Sequence, residues 1–93
     1  MVEIIKEKKT IKFSGDIKVN KIEQVYNQII KEIEDIKSWE KIKLDISSLE
    51  EADSAFYQLI LSLFRSFKDK IRISKTKKEI EEDMQIYRLF IKK

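Results

Sequence analysis

There is no cysteine and no histidine in the chain. Their absence excludes disulfides, thiol nucleophiles, imidazole bases and the usual zinc ligand sets. Proline is absent as well, and Gly15 is the single glycine. Turns therefore leave almost no local signature, and hydrophobic periodicity has to place the elements. No apolar run approaches the roughly 20 residues of a membrane-spanning helix. The longest, Ala55 to Phe64, is interrupted by Gln58 and Ser62. The opening "MVEIIKEKK" has neither the apolar core nor the cleavage site of a signal peptide, so a cytoplasmic location is the expectation.

What is present suffices for one domain. The chain has 93 residues, 42% of them hydrophobic and 40% charged, which is enough for a single core and a solvated surface. With 20 basic and 17 acidic residues, the net charge is +3. The signs are interspersed along the sequence, which predicts neither a nucleic-acid partner nor direct membrane insertion.

Residues 2–6 and 10–15 read as short strands joined by the turn "KEKK", hence a hairpin. In "TIKFSG", Ile11 and Phe13 face one way and Thr10, Lys12 and Ser14 the other. A first helix is expected over Asn20–Lys37, capped by Asn20 with Glu23 reaching back. Its apolar stripe is Ile22, Val25, Tyr26, Ile29, Ile30, Ile33 and Ile36. Trp39 follows and closes the core edge. "KIKLDI", 41–46, alternates as a strand. A second helix over Ser54–Lys68 carries the stripe Phe56, Leu59, Ile60, Leu63, Phe64 and Phe67. "KIRIS", 70–74, is another alternating strand. A third helix starts after Thr76, whose "TKKE" spells a capping box with Glu79; Ile80, Met84, Tyr87 and Ile91 form its apolar face.

Every strand alternates, whereas a parallel sheet covered on both faces would be apolar on both. The expected class is therefore α/β, in the order β-β-α-β-α-β-α. Four strands form a mixed sheet, with helices packed on one face and the other face open. This argues against a doubly wound nucleotide-binding fold, and no glycine-rich phosphate loop is present.

Chemistry concentrates in "KLDISSLEEADSAFYQLILSLFR", Lys43 to Arg65. Ser54 stands where a strand hands over to an apolar helix. One reading makes it the helix N-cap, with Glu51 and Asp53 suiting the positive end of the helix dipole. The other makes it a modification site on an acidic lip; the two roles are compatible. Asp45 reads either as a functional acid or as a structural aspartate bonding the backbone of the loop that carries Ser54. Asp45, Glu50, Glu51 and Asp53 satisfy no cation-binding spacing, so neither a metal nor a cofactor is expected. Tyr57 and Leu61 flank the main stripe, either to widen the core contact or to offer an apolar patch to a partner. Lys75, Lys77 and Lys78 read as solvated surface, without the aromatic platform that nucleic-acid binding uses.

The same stretch resembles the signature of STAS domains, the sulphate-transporter and anti-sigma-factor-antagonist family. There an apolar strand ends in Leu-Asp-hydroxyl, and a variable loop leads to Asp-Ser-small-Gly-Leu and a leucine-rich helix ending in a basic residue. Leu44, Asp45, Ser47, Asp53, Ser54, Ala55, Leu59 and Arg65 fall in register, and "IKFSGDI" resembles the family's second strand. Two departures stand out: Phe56 replaces the usual glycine, and "FKDK" before "IRIS" also lacks one. The resemblance implies a STAS-like fold across 1–93. It also implies phosphorylation at Ser54 by a partner that is both serine kinase and binding target. Asp53, Ser54, Ala55, Phe56, Tyr57 and Leu61 would meet that partner, while Asp45 and Ser47 hold the motif together.

Three functions compete. One is a regulatory protein-binding module of the anti-sigma-antagonist kind, whose partner is an anti-sigma factor or serine-kinase-like ATPase. The second is a constitutive, non-catalytic STAS subunit of a larger complex, such as a phospholipid-transport ABC system or a chemotaxis-linked assembly, with Phe56 as an anchor. The third, a small enzyme, lacks an activating base beside Ser54, and no catalytic residue is assigned.

Overall fold

The computed structural model describes residues 1–86. The order is β1 (Val2–Ile5), β2 (Thr10–Ile17), α1 (Val19–Lys31), α2 (Ile33–Ser38), β3 (Ile42–Ala52), α3 (Ser54–Phe67), β4 (Ile71–Ile73) and α4 (Lys78–Ile86). Tyr87 and Ile91, expected on the last helix's apolar face, lie outside the described residues. None of these helices is long and apolar enough to cross a membrane.

The four strands form one mixed sheet in the order β1-β2-β3-β4. β1 and β2 pair antiparallel, whereas β2–β3 and β3–β4 are parallel. The alternation predicted from sequence holds. Ile11, Phe13 and Ile17 of β2, Ile42, Leu44, Ile46 and Leu49 of β3, and Ile71 and Ile73 of β4 are buried. Lys43 and Arg72 on the opposite face are exposed, and Lys12 and Asp45 are half-exposed. Among the described residues, helices cover one face only, leaving the other side of the sheet open. Val25 and Ile29 of α1, Ile36 of α2, Trp39, six residues of α3, and Ile80 and Met84 of α4 complete the core.

Five local expectations are corrected. The first helix is two helices, broken at Glu32 (φ −105°, ψ 12°). Its buried stripe is narrower than expected, because Tyr26 and Ile30 face solvent at 50% and 42% exposure. Asn20 is not its cap: Lys18 occupies the N-cap position without a side-chain bond, and Asn20 lies inside the first turn. Thr76 does not build a capping box either, since its hydroxyl donates to the Ile46 carbonyl at 3.0 Å and ties the chain back to β3.

The fifth correction concerns β3, which runs six residues beyond Ile46, through the segment that the resemblance implied to be a variable loop. A register shift between Lys12 and Ser14 lets Ser14 pair with Ser48 and Gly15 with Leu49. That slip returns Leu49 to the core after two outward serines. A second shift follows at Gly15/Asp16. Gly15 has φ +72°, the left-handed conformation that glycine adopts without steric cost at a bulge. The lone glycine therefore stands where β2 needs one. Where the chain lacks a second glycine, Lys68 ends α3 at φ 48°, ψ −118°, a strained position for a side chain.

Candidate functional site

The end of β3 and the start of α3 bring the predicted residues together around Asp53 rather than Ser54. Asp53 has extended backbone (φ −125°, ψ −172°) and is the N-cap of α3. One carboxylate oxygen accepts the Ala55 N–H at 3.0 Å and the Phe56 N–H at 3.4 Å. The other accepts the N–H of Val19, the first residue of α1, at 2.9 Å. A single carboxylate thus satisfies orphan donors at two helix starts, where the dipoles favour negative charge. This is also why α1 needs no side-chain cap of its own.

Ser54 therefore does not cap the helix. It is the first helical residue, is exposed, and its hydroxyl makes no hydrogen bond among the described residues. The acids around it do not form a common lip. Glu51 pairs with Lys18 at 3.2 Å and Glu50 with Lys77 at 3.7 Å. Each carboxylate has its own partner, and the three do not converge on a shared centre.

Phe56 and Tyr57, expected at the partner surface, are core residues instead. Phe56 is fully buried and its ring meets Phe13 edge-on at 5.3 Å between centroids. Tyr57 is 2% exposed, packs edge-on against Phe56, and donates its hydroxyl to Asp83 of α4 at 3.2 Å. Both belong to α3's inward stripe, so neither is an exposed anchor and Phe56 does not shield Ser54. Leu61 is half-buried at the core margin. The outward face of α3 instead carries Ser54, Gln58, Leu61, Ser62 and Arg65, a row at three- and four-residue spacing. Gln58 and Arg65 were not singled out from the sequence as contact residues; the complement of the apolar stripe would have identified them.

Asp45 sits on the open face of β3 and organises the bulge. One of its oxygens accepts the Ser47 N–H at 3.0 Å, the Ser47 hydroxyl at 2.7 Å and the Ser74 hydroxyl at 3.3 Å. Ser74 in turn accepts the Ile46 N–H at 2.9 Å. Desolvation raises the Asp45 pKa, but the Ser47 hydroxyl and amide, the Ser74 hydroxyl and nearby Lys43 outweigh it and hold the carboxyl below its ordinary value. Asp45 therefore stays ionised as an acceptor that clamps β3 to the segment after β4. Ser47 is committed to that clamp.

In this arrangement, the Ser54 hydroxyl, unbonded among the described residues, lies beside a carboxylate that already accepts three backbone N–H bonds. No protein-family model and no curated protein matches this chain.

Proposed function

We propose that the chain is a STAS-type regulatory binding module whose partner docks on the outward face of α3 and is released when Ser54 is phosphorylated. The observation that carries this reading is the freedom of the Ser54 hydroxyl. Serine at a helix start is ordinarily held as a cap, but here Asp53 does that work and leaves Ser54 solvent-facing and uncommitted. A phosphate there adds about −1.5 to −2 charges at neutral pH. The Ala55, Phe56 and Val19 N–H groups are already engaged by Asp53. The new charge is left on the surface beside Asp53, where it changes what α3 presents more than how the domain folds.

The inward packing of Phe56 supports the same reading, since it leaves the approach to Ser54 open. Affinity capture from native lysate, with mass spectrometry of both prey and bait, identifies the partner and any phosphate on Ser54. Calorimetric titration then compares wild type, Ser54→Ala and Ser54→Asp. We expect Ser54→Ala to match wild type and Ser54→Asp to bind at least tenfold more weakly, about 1.4 kcal/mol. Equal affinity for all three would remove the switch and leave a constitutive subunit.

A further inference from the structure

Folding separates charges that the sequence intersperses. A cleft of about 810 Å³ opens at the start of β3, between the β1–β2 turn, the α2–β3 connection and β4. Among the described residues, Lys8, Lys9, Lys41, Lys43 and Arg72 line it, against the single carboxylate of Glu40. That is a net of four positive charges in one cleft, on a chain whose total is +3. The rest of the molecule is therefore slightly acidic.

Three further observations mark the cleft as built to receive charge. None of the five cleft cations forms an ion pair among the described residues, so their charge is not neutralised within the cleft. Lys43 and Arg72 are partners on adjacent strands, and like charges directly opposite destabilise a sheet. A local rule broken in this way is expected at functional sites. Two of the five cations are also held in position. Arg72 donates to the Asp69 and Ile71 carbonyls at 2.9 Å each. Lys9 turns through a left-handed residue (φ 52°), lies 5.7 Å from the Trp39 ring centroid, and accepts the Lys43 N–H at 3.0 Å through its carbonyl.

We propose that this cleft binds a compact multivalent phosphate anion, a small molecule carrying two or more phosphate groups close together. Its volume is that of a small-ligand site. Trp39 is 3% exposed, so it offers no face on which a nucleic-acid base could stack. The cleft lies at the opposite end of β3 from Ser54. Ten strand steps separate Ile42 from Ala52, on the order of 30 Å, and the site is independent of the proposed switch.

The test is a titration of isotopically labelled full chain with sodium tripolyphosphate, followed by NMR at constant ionic strength, with orthophosphate and a single-stranded oligonucleotide in parallel. We expect saturable binding of tripolyphosphate with shifts centred on Lys9, Lys43 and Arg72, and much weaker binding of orthophosphate. The combined variant Lys41→Gln/Lys43→Gln/Arg72→Gln should bind at least tenfold more weakly. Lys75→Gln/Lys77→Gln/Lys78→Gln and Ser54→Asp should stay within twofold of wild type. Circular dichroism melts check folding, and the turn variant Lys8→Gln/Lys9→Gln repeats the test from another element. Absence of saturation, equal loss in the Lys75/Lys77/Lys78 variant, or shifts centred on α3 would overturn the proposal. So would an oligonucleotide whose affinity grows with length and exceeds that of tripolyphosphate.

Discussion

The Asp53 carboxylate accepts the backbone N–H of Val19 at 2.9 Å across 34 residues of sequence. This contact joins the start of α1 to the cap of α3, and it decides how the neighbouring Ser54 behaves under mutation.

Asp53→Ala removes the cap of α3 and the acceptor for Val19 together. A lost N-cap alone costs about 0.5–2 kcal/mol, and the additional orphaned donor places the total at the upper end of that range. Ser54→Ala removes a hydroxyl that has no partner among the described residues and should change stability by less than about 0.5 kcal/mol. Urea melts of the two variants separate the roles; a larger loss for Ser54→Ala than for Asp53→Ala would reverse the cap assignment.

Leu63, 6% exposed at the centre of α3, packs into the core. Truncating Leu63→Ala should cost about 2–5 kcal/mol, and Phe56→Ala about 3–5 kcal/mol. Denaturant midpoints check both. A near-neutral Phe56→Ala would place that ring at the surface after all.

Asp45 carries a pH dependence of known sign. Its folded pKa is depressed, so its charged form adds stability above the ordinary carboxyl value of about 3.9, and that contribution is lost as pH falls through the lower folded value. Asp45→Asn should be less stable than wild type at pH 7, and the gap should close below about pH 4. Thermal melts from pH 7 down to pH 2 read this directly; a gap that widens on acidification would contradict the clamp.

Lys68 holds a positive φ of 48°, which glycine adopts without a Cβ clash. Lys68→Gly should raise stability by about 1 kcal/mol, since such strain costs on the order of 1–3 kcal/mol and glycine's extra chain entropy offsets part of the relief. An unchanged or lowered melting temperature would argue that the turn relaxes around lysine.

The sheet was legible because Ile42, Leu44 and Ile46 alternate with polar residues, and α3 because its phenylalanines, leucines and isoleucine recur at helical spacing. Legibility ends where one segment's conformation depends on a distant one. After Ile46 the alternation breaks at Ser47 and Ser48, and only the slipped pairing with Ser14 and Gly15 makes that stretch a strand. Asp53 and Ser54 are both good caps; the Val19 N–H that accompanies the choice of Asp53 arrives from another helix. Asn20 and Thr76 carry the right side chains for caps, but tertiary bonds took their places. The cleft was invisible because its lysines and arginine come from three separated segments of a sequence with nearly balanced charge.

The parallel pairing of β2 with β3 also sets the tempo of folding. Its first rung joins Thr10 to Lys43, so a long loop must close before any of that ladder's hydrogen bonds form. α1 and α2 lie inside the loop and shorten it once helical. The central sheet should therefore condense late, after these local helices, at the intermediate rates of mixed α/β domains. With no proline in the chain, the tens-of-seconds isomerisation that slows many refolding reactions has no source. Stopped-flow refolding should then run to completion without a slow proline-limited phase, whatever the isomerase content of the medium.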